Sequence, residues 1–333
     1  ILGFLVNSGT AFQDVAIDSL AVDIMPENER AKAAGVMFGG QVLGISATTF
    51  FGGQQIAIYG PVAGYLNAAL IVTCVLVFGI VIREREGERH FPWSDGAAHP
   101  LNVTLQVEAW KPLLINSWKA MLAPLSLVAL IIFFVRTMPS GIAEAYHPGL
   151  ATNIGGWTQT SYTNTISAAQ FAVGLFALTL GGWAVAKIGA QRAALIMCLL
   201  VSFFALGFGL ARGYWPNVTL LIAYFWQIEF LTVMLTVAFV PVAMRLCDPR
   251  VAATQFTLYM AASNVGRPLG NSVAAATDEM GAPHLMYFVL AGVFAALSFI
   301  LWFARFPKKA PEVVKIIEES EPIVEGEPPP KID

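Results

Sequence analysis

The chain has 333 residues, of which 56% are hydrophobic and only 12% charged, with a net charge of -3, whereas a soluble domain carries about 25% charged residues. That composition excludes a soluble fold, and the scattered Lys and Arg residues form no basic patch of the kind that holds nucleic acid. Cys74, Cys198 and Cys247 sit in or beside apolar runs at no ligand spacing and away from the four histidines, so no disulfide, metal site or cofactor is implied.

Apolar runs long enough to cross a bilayer fall at about 1–23, 33–55, 61–82, 121–141, 163–186, 193–211, 217–244, 251–275 and 285–304. The first opens on Ile1 without an initiator Met or a charged leader, and reads as the interior of a longer chain. Residues 83–120 form a linker that starts Arg83-Glu84-Arg85-Glu86 and contains Pro92, Gly96 and Pro100. Its second part interleaves Val103, Leu105, Val107, Trp110, Leu113, Leu114 and Trp118 with polar residues, which suits either a helix in the headgroup region or a plain loop. The expected organisation is a three-span bundle over 1–82, the linker, a six-helix bundle over 121–304 and a disordered Glu- and Pro-rich tail over 305–333.

Arg30, Lys32, Arg83, Arg85, Arg89, Lys111, Lys119, Lys187, Arg192, Arg245, Arg250, Arg305, Lys308, Lys309, Lys315 and Lys331 fall on one side of these spans, and the other side carries only Arg212. The positive-inside bias places the first set and the C-terminus in the cytoplasm. Arg136 and Arg267 lie inside spans.

Polar content repeats along the spans. The first carries Gln13, Asp14 and Asp18, the second Gln41, Gln54 and Gln55, and the third only Asn67. Arg136, then Gln170, then an apolar span follow. The last three carry Gln227 with Glu229, then Gln255, Asn264, Arg267 and Asn271, then only Ser298. Helices with polar faces turn them into a bundle, and apolar ones face lipid over much of their circumference. Three such triplets imply a fourth before them. A twelve-helix protein of four triplets, with a long linker between the second and third, resembles the major facilitator superfamily, all-α carriers of which this chain would hold helices 4 to 12.

The loop Gly182-Trp183-Ala184-Val185-Ala186-Lys187-Ile188-Gly189-Ala190-Gln191-Arg192 resembles that superfamily's signature loop, with Ala186 where Asp is usual. Gln13-Asp14, Asp18, Asp23, Pro26, Glu29-Arg30 and Gly35 resemble helix 4 and the following loop of the AmpG-type muropeptide permeases and related acetyl-CoA transporters. Ala253-Thr254-Gln255-Phe256-Thr257-Leu258, with Ser263, Val265-Gly266-Arg267 and Gly270, resembles helix 11 of the same permeases. The resemblance implies proton-driven import of N-acetylglucosaminyl-anhydromuramyl peptides across the bacterial inner membrane by a monomeric symporter, a step in peptidoglycan recycling. The alternatives are a carrier of another small solute and a membrane sensor that does not transport. No catalytic constellation points to an enzyme.

In this superfamily helices 1, 4, 7 and 10 line the central cavity, which would gather Asp14 and Asp18, one helical turn apart, with Arg136, Gln227 and Glu229. Asp14, Asp18 and Glu229 are the candidates for proton coupling. Gln13, Gln227, Gln255 and Asn264 offer donor and acceptor together, and Arg136 and Arg267 offer a fork for carboxylates; these six are the candidate solute contacts. Either arginine could equally be the standing partner of a carboxylate in the first span. Asp23, Glu29, Arg30, Lys187, Gly189 and Arg192 belong to the cytosolic rim or an inner gate. The paired glycines Gly39-Gly40, with Gly44, Gly52-Gly53 and Gly181-Gly182, allow close helix approach.

Overall fold

The computed structural model describes residues 5, 8–9, 12–17, 26, 28–81, 87, 89, 91, 93–97, 110–248 and 251–307. Asp18, Asp23, most of the first span, residues 98–109 of the linker and the tail from 308 lie outside the described residues. Regular structure among the described residues is helical, and seven helical stretches are long and apolar enough to cross a membrane.

The first of these, Arg30–Ile56, runs from α1 (Arg30–Ala47) through a π-helical turn at Thr48–Gly52 into α2 (Gly53–Tyr59). Gly60, at φ 76°, ends it. Pro61 then opens α3 (Pro61–Val81), at the position where a missing N–H costs nothing. No residue of α3 is buried, as suits the apolar helix of a triplet. Its one amide, Asn67, donates to Gln55 Oε1 on α2, so the polar group carries its own partner into the apolar layer.

Within the second part of the linker, Trp110–Leu122 form a helix (α4), with Trp118 and Leu114 exposed and Lys111 and Lys119 beside them. Pro124 starts α5 (Pro124–Arg136); a break at Thr137 leads into α6 (Met138–Gly149) and a π-helical turn at Leu150–Ile154. This span therefore reaches Ile154, well past the limit of 141 expected from hydropathy. Ser140, Glu144, His147 and Asn153 dilute its apolar character, while Met138, Ile142 and Leu150 keep a buried stripe at multiples of four residues.

The remaining helices are α7 (Gln159–Phe176), a π-helical turn at Ala177–Gly181, α8 (Gly182–Ile188), α9 (Ala190–Leu210), α10 (Val218–Leu246), α11 (Ala252–Glu279) and α12 (His284–Phe303). Thr158 and Asn217 cap α7 and α10 by accepting from Ser161 N and Leu220 N. The helix α11 has the length of a span, yet it is less apolar than the other seven, because Asn264, Arg267 and Asn271 all lie exposed along it.

The most buried helix is α10, whose Leu221, Phe225, Leu235, Val237 and Ala238 are fully enclosed. It packs against α1, α7 and α9, while α9 lies along α12, and α11 along α5 and α6. At the far end from Arg30, Phe208 stacks on Tyr224 with ring centroids 3.7 Å apart, and Trp215 Nε1 donates to Phe208 O at 2.9 Å. Trp215 is thus a core residue, not an interfacial anchor.

Glycines decide how closely α1 meets α7 and α8. A methyl group on Gly35 would lie 2.7 Å from Gly182 N, and one on Gly39 would meet Gly174 O at 2.8 Å. Gly40 and Gly44 face open space. Gly39→Val is therefore expected to lower the melting temperature of the purified protein, at an overpacking cost of about 1–3 kcal/mol, whereas Gly44→Val leaves it unchanged. Equal melting of the two variants would mean that the α1–α7 contact does not carry the stability assigned to it.

Candidate functional site

The polar site grows out of a second glycine crossing. A methyl group on Gly270 would lie 2.9 Å from Ile142 N, one on Gly266 would lie 2.7 Å from Phe134 O, and Gly141 in turn meets the Arg267 backbone. The Thr137 hydroxyl donates to Ser263 O. These contacts fix α11 against the α5–α6 junction. They also bring Arg267 beside Glu144, one turn beyond Gly141, where the two form an ion pair at 3.3 Å.

Arg136, the last residue of α5, is 6% exposed. Its guanidinium donates to the hydroxyls of Thr236 on α10 and Ser263 on α11, and its cationic end lies 5.4 Å from the centre of the Phe133 ring. Its Nε is enclosed without a partner. The charge closest in effect to it is Arg267, one turn along α11 from Ser263. Arg136 stands about 18 Å along its span and Arg267 about 22 Å along α11, at 1.5 Å per residue, so each sits well inside its helix, away from either end.

On α10, Glu229, Thr232 and Thr236 share one face by their spacing. Glu229 lies within hydrogen-bonding reach of Gln170 on α7 and within electrostatic range of Glu144, and Tyr162 on α7 feels both carboxylates. The site is therefore built by five helices: Arg136 from α5, Glu144 from α6, Tyr162 and Gln170 from α7, Glu229 and Thr236 from α10, and Ser263 and Arg267 from α11.

Several expectations change. Among the described residues Arg136 is bonded to neutral hydroxyls, not to Asp14, which lies exposed beside Gln13 on residues 12–17. Gln227, two residues from Glu229, cannot share its face of α10; its amide nitrogen is enclosed without a partner. Asn264 is exposed next to the buried Ser263. Gln255 lies apart from the cluster, 1% exposed, and spends its amide within the protein. It donates to Ser126 Oγ at 2.8 Å and Tyr259 OH at 2.9 Å and accepts from Asp248 N at 2.7 Å, fastening the end of α10 to α5 and α11. Glu144 lies three residues past the apolar run that ends at 141, and only the continuation of the span to Ile154 brings it into the site.

At the basic end of the helices, Arg30 Nη1 donates to Met244 O at 3.1 Å, joining α1 to the last turn of α10. That is where a cation suits the helix dipole. Glu29 beside it is exposed. In the signature-like loop, α8 stops at Gly189 with φ 93°. Lys187, lacking an acidic neighbour at Ala186, sits 5.0 Å from the centre of the Trp183 ring. Gln191 ties the same loop to the Leu301 and Ala304 carbonyls, while Arg192 is exposed at the mouth of a crevice of 240 Å³.

A bundle of apolar helices that carries cations, carboxylates and amides along its spans is the pattern of a multi-pass membrane transporter for a small solute. The chain matches the model of the Major Facilitator Superfamily over residues 1–271, and it belongs to that superfamily. No curated protein matches it.

Proposed function

We propose that the protein is a proton-coupled importer of anhydromuropeptides or a closely related sugar-peptide, working by alternating access in the bacterial inner membrane with its basic end and C-terminus in the cytoplasm. The observation that carries this reading is the intramembrane pair of arginines, Arg136 and Arg267, set among Glu144, Glu229 and Gln170. Guanidinium forks suit the carboxylates of a peptide stem, and amides suit its backbone and sugar hydroxyls. The likeness of the Gln13–Gly35 and Ala253–Gly270 stretches to muropeptide permeases supports the cargo, and the excess of Lys and Arg at one end supports the orientation. Asp14, Asp18 and Glu229 supply carboxylates for proton handling, with Gln13 and Asn264 as further solute contacts.

Vesicles carrying the intact protein are expected to accumulate labelled anhydromuropeptide only when an inward pH gradient is imposed, with an unrelated sugar as control. Accumulation that ignores the gradient removes the coupling, and exclusion of the muropeptide removes the cargo.

A further inference from the structure

Where α1 crosses α8, a groove of about 500 Å³ opens that shares no residue with the site of Arg136 and Arg267. Its wall is apolar. Val36 of α1, Leu178 and Leu180 of the π-helical turn and Trp183 of α8 all line it and all lie exposed. On spanning helices such faces meet acyl chains. Its rim is basic. Lys32 lines the groove on the α1 side, with its Cα 2.7 Å from where a methyl group on Gly182 would lie, and Lys187 Nζ stands 5.0 Å from the centre of the Trp183 ring. Both lysines are exposed, and among the described residues neither is paired with a carboxylate.

The order along the groove matters. Lys32 stands two residues after Arg30 and Lys187 two residues before Gly189, so both belong to the basic end, whereas Val36 and Leu178 lie further along their spans. Cations at the end, then an indole, then aliphatic side chains repeat the order of a phospholipid, with its phosphate, its ester region and its acyl chain. We propose that this groove binds one anionic phospholipid of the surrounding bilayer, with the phosphate between Lys32 and Lys187, the ester region against Trp183 and one acyl chain along Val36, Leu178 and Leu180. Long flexible lysine stems lie along apolar surface while their ammonium groups reach the headgroup layer. A zwitterionic headgroup brings a cation of its own to the two ammonium groups, and a free phosphate makes no use of the apolar wall. Because α1 precedes the linker and α8 follows it, the lipid joins two distant stretches of the chain at their crossing.

Native mass spectrometry of the intact purified protein, mixed in detergent with equal amounts of dioleoylphosphatidylglycerol and dioleoylphosphatidylcholine, reads the bound lipid by its mass. A lysine near the headgroups favours an anionic lipid about five-fold, so the two together give a preference of roughly twenty-five-fold for one phosphatidylglycerol. Lys32→Gln and Lys187→Gln are each expected to lower it about five-fold, and the double variant to lose it. Arginine at both positions keeps it, and Lys111→Gln with Lys119→Gln on α4 leaves it unchanged. Leu180→Trp, which fills the groove and keeps both charges, is expected to lose the retained lipid. Equal retention of the two lipids by the wild type, a preference that survives the double Lys→Gln change, or one lost equally with the α4 lysines overturns the site. Displacement of the lipid by excess inorganic phosphate overturns it as well, since the acyl wall would then hold nothing.

Discussion

Arg136→Met is expected to abolish solute binding while the protein melts at the same temperature as the wild type or higher. A cation enclosed at membrane depth and answered by two neutral hydroxyls is expensive to keep. Replacing such a group with an apolar side chain of similar volume is commonly neutral or stabilising. If the arginine served packing, its loss would lower stability in step with function. If it waits for an anion, the two separate, as they do where a site is kept at the expense of the fold. Arg136→Lys sharpens the test. Lysine keeps the charge but has no planar fork to span Thr236 and Ser263 and still meet a carboxylate, so binding is expected to weaken about a hundred-fold. A variant that binds normally, or one that unfolds with loss of binding, counts against the anion site.

The second large effect concerns Arg30. Its bond to Met244 O is a charge-assisted contact between α1 and α10, of a kind that contributes about 1.5–3 kcal/mol. Its loss should favour separation of α1 from the end of α10 by ten-fold or more. The chain carries its own reporter. Cys247 is 3% exposed just past α10, with its Sγ donating to Ala243 O at 3.3 Å and Arg30 nearby. Arg30→Ala, in a background of Cys74→Ser and Cys198→Ser, is expected to raise the rate of maleimide labelling at Cys247 by about ten-fold. A rate equal to that of the parent would show that Arg30 does not hold this end shut.

Seven of the spans are legible because length and apolarity alone require them, and Arg136 and Arg267 are legible because charge is conspicuous in such runs. Glu144 is not. Hydropathy averages over a window, and the polar residues after Arg136 pulled that average down although Met138, Ile142 and Leu150 still traced a buried stripe. Gln255 shows the opposite difficulty. Its polarity was plain, but polarity does not name a partner, and the partners proved to be Ser126, Tyr259 and Asp248, the first from a helix far away in sequence. Gln227 and Glu229 share the helix that the resemblance places at the cavity, and the helical angle between them separates them. Lys187 was marked by its missing acidic neighbour, and Trp183 four residues earlier was the signal for where it would turn.

The π-helical turn at Ala177–Gly181 sets the phase of everything beyond it. Gly174 and Gly182 both meet α1, although residues eight apart on a regular α-helix point roughly 80° away from each other. The wider turn rotates less per residue, and over its length that deficit brings the second glycine back under the first. The contact is therefore written in the count of residues as much as in their identity. Comparison of substitutions cannot reveal such a feature. It belongs to the class of differences that arise when one residue is gained or lost inside a helix, and it makes chain length within the span a determinant of how the two halves meet.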